Sequence, residues 1–95
     1  MDYVFEVTDK TGRKIKLTKK QREHMTKRHS YIEKYLEEIK ETLKSPDKIH
    51  IELDKGYYYK RYKHLQSPNR FILVIVKYLN GDGFIITAYL EQIIK

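Results

Sequence analysis

The chain has no cysteine and no tryptophan among its 95 residues, and only two prolines and four glycines. Without cysteine there are no disulfides and no thiolate metal sites. No apolar run approaches the roughly 20 residues of a membrane-spanning helix. The opening MDYVFEVTDK lacks the pattern of a signal peptide, so the expectation is a cytoplasmic protein with no membrane partner. Metal-binding patterns are missing too. The acids are scattered, there is no HExxH motif, and His24 and His29 do not share one helix face. No Gly-rich phosphate loop occurs. The expectation is no metal and no cofactor.

Acids are scarce relative to cations, 13 Asp and Glu against 20 Lys and Arg, for a net charge of +7. The cations are unevenly placed. Thr18–Ser30 carries Lys19, Lys20, Arg22, Lys27 and Arg28 against one acid, Glu23, and holds two of the four histidines. Tyr57–His64, YYYKRYKH, adds Lys60, Arg61 and Lys63 with no acid. Two basic segments separated by a mildly acidic one predict a basic face, and a basic face predicts a polyanion, with nucleic acid ahead of anionic lipid. A lysine-rich surface that serves solubility alone is the plainer alternative. Tyrosines interleaved with cations suit nucleic acid, because rings stack on bases while cations meet phosphates; the plainer alternative is that tyrosine favours strands and cations protect a sheet edge. Lys20, Arg22, Lys27, Arg28, Tyr57, Tyr59, Arg61 and Lys63 are the candidate RNA-binding residues.

The length supports one domain over residues 1–95 with a modest core. Tyr3–Thr8 and Lys14–Leu17 read as strands joined by an Asp9-Lys10-Thr11-Gly12 turn, an N-terminal hairpin. Thr18 and Gln21 have the spacing of a capping box. The helix that follows is free of Gly and Pro, yet its only interior apolar residue is Met25. Ser30 and Glu33 repeat the capping pattern before a stripe of Ile32, Tyr35, Leu36, Ile39 and Leu43, an amphipathic helix. Strands are expected at Lys48–Leu53, Tyr57–His64, Phe71–Tyr78 and Phe84–Leu90, with Asn80-Gly81 turning the last hairpin. The fold class is α+β: an N-terminal hairpin, two helices, then a four-stranded antiparallel sheet with one helix packed on one face. Strict alternation puts Ile72, Val74, Val76, Phe84, Ile86 and Ala88 towards the helix. It leaves Lys77, Thr87 and Tyr89 together on the other side.

Several stretches resemble one known group. LTKKQREHMTKRH, the Ile39–Ile49 segment with SPDKI, YYYKRY, the apolar strand ending in Lys77 and the late ITAY are similar, in order, to a phage- and toxin-associated family. It belongs to the barnase–EndoU–colicin E5/D–RelE-like nucleases. The resemblance implies a helix with an antiparallel sheet and RNA cleavage without metal. Carried over by position, it implies His24, His29, Lys77, Thr87 and Tyr89 as catalytic candidates. Lys20 and Gln21 depart from the family's usual pattern there. The second reading is a non-catalytic RNA-binding module using the same basic face, and the third a protein-interaction domain, a toxin-like fold held by an acidic antitoxin or immunity protein. The residue types suit general acid–base chemistry, and histidine titrates near neutrality. A helix with so little apolar surface is expected at the edge of the sheet, where His24 overhangs the face bearing Thr87 and Tyr89.

Overall fold

A computed structural model gives the fold of residues 3–93. The elements are β1 (Tyr3–Thr8), β2 (Lys14–Thr18), α1 (Lys19–Arg28), a 3-10 helix (Ser30–Tyr35), α2 (Leu36–Lys44), β3 (Lys48–Glu52), β4 (Lys55–Arg61), β5 (Phe71–Leu79) and β6 (Asp82–Glu91). The hairpin does not stand apart from the sheet. All six strands form one mixed sheet in the order β1-β2-β6-β5-β4-β3. The four-stranded antiparallel sheet expected from the sequence is therefore corrected to six strands, with β2 and β6 pairing in parallel through Ile15↔Gly83 and Lys16↔Phe84. The physical reason lies in β1 and β2. Val7, Ile15 and Leu17 are buried, and a two-stranded hairpin is marginal in water without further cover. Docking on β6 buries them and covers part of a sheet edge that would otherwise expose unpaired backbone.

Helix packing departs from expectation as well. Ser30 makes no capping bond; Ser30–Tyr35 is a 3-10 helix that runs into α2. Glu33 instead takes Arg22 and Thr26 of α1, with Arg22 Nε donating to Oε2 at 3.1 Å and Thr26 Oγ1 at 3.2 Å. Ile32, Tyr35, Ile39 and Leu43 join Ile15, Leu17, Ile72, Val74 and Val76 in the core. α1 and α2 both pack on the sheet system, α2 chiefly on β5 and the first strand, and α1 along β6 and β2.

A carboxylate is built into this core. Asp9 is 5% exposed. Its Oδ1 accepts from Thr11 N (2.9 Å), Thr11 Oγ1 (2.7 Å) and Arg13 N (2.9 Å), and its Oδ2 accepts the Tyr58 hydroxyl proton. Tyr78 joins Tyr58 at 2.6 Å. A buried carboxylate requires such partners, and here they tie the first turn to β4 and β5. Burial, then the Asp9 and Tyr78 bonds, push the Tyr58 hydroxyl far above its ordinary range.

The last hairpin turns at Asn80 and Gly81, both at positive φ (53° and 85°), the pair of conformations that a two-residue turn of this hand demands. Above it the register slips. Ile75 pairs with Thr87 but Val76 with Ile85, so Ile86 is an extra residue, a β-bulge. Strict alternation fails below it. Ile85, not Ile86, is in the core at 3% exposure, and Phe84 pairs with Lys77 on the other face.

Candidate nucleic-acid interface

The registers lay out the face turned away from α2 as rows of side chains. His50, Tyr57, Ile75 and Thr87 make one row; Lys48, Tyr59, Leu73 and Tyr89 make the next; Arg61, Phe71 and Glu91 lie beyond it. Glu52, Lys55, Lys77 and Phe84 form the row on the other side. Lys77, Thr87 and Tyr89 thus share this face.

The bulge explains how α1 joins it. β2 pairs with β6 only as far as Phe84, and the Ile86 carbonyl accepts a hydrogen bond from Gln21 Nε2. Thr18 does cap α1, its Oγ1 accepting from Gln21 N at 3.1 Å. The Gln21 side chain, however, reaches forward to the sheet rather than back to the cap. At the other end of α1, the His29 ring lies against Tyr89, centroids 5.6 Å apart. The two ties match in length: eight helical residues rise about 12 Å, and three strand residues about 10 Å. α1 therefore runs alongside β6 in the same direction. His24, about 4.5 Å along the axis from Gln21, is exposed and borders a concavity with Lys20, Gln21, Glu23 and Lys27. Arg28 follows one turn later, also exposed.

His29 is half-buried at the end of α1, its backbone N–H donating to the Met25 carbonyl at 2.7 Å. Tyr31 completes its surroundings: the rings are 5.7 Å apart and the hydroxyl is 3.3 Å from Nδ1. Sequence reading gave Tyr31 no role, although a His-Ser-Tyr spacing at a helix end was there to be noticed. Burial, followed by Glu91 and the neighbouring tyrosines, raises the Tyr89 hydroxyl above its ordinary value. Tyr89 therefore keeps its proton near neutrality. Lys77 is half-exposed, 3.7 Å from Asp54.

The candidate RNA-binding residues divide. Lys20, Lys27 and Arg28 are exposed on α1. Arg22 is paired with Glu33. On β4, Tyr57 is half-buried on the open face and Arg61 is exposed two rows further on, but Tyr59 between them is only 4% exposed, so its ring faces are packed rather than offered. Lys63 lies past the end of β4, in a turn, and no strand register places it with the others. Tyr58, on the opposite side of β4, is core. A concavity of about 840 Å³ opens on the other flank of α1, between Tyr3, Val4, Arg22, Thr26 and Glu33. It contains none of the open-face residues of β3 to β6. Among the described residues, no three His, Asp or Glu side chains converge as a metal-binding group, and no helix is long and apolar enough to cross a membrane.

Neither the curated proteins nor the solved structures offer a match. A family model does match, across residues 2–93 and so over almost the entire chain. That extent of agreement makes the chain a member of the phage-Barnase-EndoU-ColicinE5/D-RelE like nuclease2 family.

Proposed function

We propose that the protein cleaves RNA without a metal ion, by general acid–base catalysis between α1 and the open face of β6. The observation that carries this reading is the contact of His29 with Tyr89, on the face that Thr87 and Lys77 share. In the reaction, the 2′-oxygen attacks the adjacent phosphorus as one imidazole takes its proton. The bond to the 5′-oxygen breaks as another imidazole returns a proton to that oxygen. The products are a 2′,3′-cyclic phosphate and a 5′-hydroxyl. His29 and His24 are the two imidazoles assigned to these transfers. Tyr89 O–H and Thr87 O–H donate to the non-bridging oxygens, and Lys77 and Arg28 offset the charge that develops there. RNA is the proposed partner.

The experiment is RNA cleavage in excess chelator by wild type, His24→Ala, His29→Ala and Tyr89→Phe. Wild type is expected to release cyclic phosphate ends. Loss of a proton-transferring histidine is expected to cost about 10²–10⁴-fold. A wild type that needs added divalent metal, or a His29→Ala variant of undiminished rate, overturns the mechanism. RNA binding without cleavage would leave a binding module on the same face.

A further inference from the structure

The proposed reaction uses the β6 side of the open face and leaves the β3 side unexplained. There the register sets His50 beside Tyr57, with ring centroids 5.9 Å apart and planes tilted by 45°. The His50 side chain is 52% exposed, on an edge strand whose outward residues need bury nothing. Tyr57 is half-buried and so is Ile75, the next residue along the row towards Thr87. The row reads as two rings, an apolar floor, then a hydroxyl.

Resting on the ribonuclease reading, we infer that His50 and Tyr57 form a nucleobase subsite for a second nucleotide of the same RNA. Distance argues that the ligand is an oligonucleotide. From β3 to β6 is three strand spacings, about 14 Å, whereas contacts to a single phosphate are about 3 Å each. A chain that engages both ends must cross the strands. Charge argues that the base, not the phosphate, occupies the subsite. His50 Nε2 lies 3.4 Å from Glu52 Oε2, and Glu52 is itself exposed. That carboxylate repels a phosphate and occupies the ring's edge, while the faces of the two rings are left for stacking on a base, which carries no net charge. Phosphates then follow Lys55 and Lys77, the cations of the adjoining row inward of Glu52 at its β3 end. Tyr59, one row over, is packed too tightly to serve as the second platform.

Non-cleavable 2′-O-methyl RNA tests this, as a dinucleotide and as a longer single strand, with affinities read by fluorescence anisotropy. Wild type is expected to favour the longer strand. His50→Ala and Tyr57→Leu are expected to weaken the longer strand by roughly five- to a hundred-fold, the range for one stacked base, and to leave the dinucleotide unchanged. His50 is a surface residue, so His50→Ala stays informative even if Tyr57→Leu folds poorly. Equal losses for both lengths, or none for either, overturn the subsite while the ribonuclease reading stands. A wild type that binds neither length overturns both.

Discussion

Gln21→Met separates the docking of α1 from its stability. Methionine matches glutamine in length and helix propensity, so the helix itself is little changed. What is lost is the donor to the Ile86 carbonyl. A typical hydrogen bond contributes about 0.5–1.5 kcal/mol net, and this half-buried carbonyl can recover part of its partner from water. The expected loss is about 1 kcal/mol, or about 4–8 °C in Tm for a domain of this size. The effect on the site is larger, because His29 sits about 12 Å further along the same rigid helix. A displacement of about 1 Å can cost about 10²-fold in rate. Gln21→Met should therefore lower chelator-resistant RNA cleavage by about 10–100-fold per folded molecule. Thr18→Ala is the matched control. It removes the cap to Gln21 N at a similar stability cost, about 0.5–2 kcal/mol, but leaves the tie to β6. Its activity should stay near wild type. Circular dichroism gives the Tm of each, and rates are compared well below both transitions. The ring protons of His29, shifted by Tyr89, report docking directly in an NMR spectrum. Equal activity per folded molecule in the two variants, with unmoved His29 resonances, would refute the argument.

Lys27→Ala and Arg28→Ala should each reduce the slope of log affinity for RNA against log salt by about 1. Arg22→Ala should change stability more than slope, because Arg22 is paired with Glu33; three equal slope changes would contradict this. Tyr59→Ala should cost about 3–5 kcal/mol of stability, as loss of a buried aromatic does, without altering RNA affinity per folded molecule, and an affinity loss at unchanged Tm would place the ring at the interface instead. Burial, with Glu41, Glu38 and Asp47 nearby and Thr42 opposing, pushes the Tyr62 hydroxyl up to about 12. A raised value means the protonated form is favoured by folding, so its contribution is full below about pH 10 and is lost as pH rises towards 12. Tyr62→Phe should remove about 1 kcal/mol of that alkaline slope, a figure kept small because the ring is partly in water, and alkaline titrations of Tm that superimpose would refute it.

Local chemistry made several parts of this fold legible. Thr18 caps α1, Tyr3–Thr8 is a strand over the residues read from its alternation, and Asn80-Gly81 turns the last hairpin. Each depends on neighbours within a few positions. What escaped depends on partners far away in sequence. Nothing local in KIKLT says that it pairs with GF at Gly83–Phe84, yet that pairing turns four strands into six. Ile85 and Ile86 are identical residues, and only the register with Ile75 and Val76 decides which one enters the core. The site divides on the same line. Thr87 and Tyr89 were placed on one face by alternation, on the side of the bulge where alternation holds. Gln21 looked like a cap because its true acceptor is 65 positions away. Tyr57, Tyr58 and Tyr59 are equally aromatic, but Asp9 draws Tyr58 inward, and packing on the far face closes over Tyr59.

The parallel contact of β2 with β6 also orders events during synthesis. β2 and the strand it requires cannot meet until α1 through β6 has been made. Such long-range closure is slow, because the entropy of the enclosed segment is lost before the contacts compensate it. α1 waits as well, since the Ile86 carbonyl that anchors Gln21 belongs to the same late strand. A ribosome-bound chain short of β6 would hold β3, β4 and β5 with no partner for the hairpin and no rail for the histidine-bearing helix. The contact of His29 with Tyr89 therefore assembles only after the ribosome has translated past Tyr89.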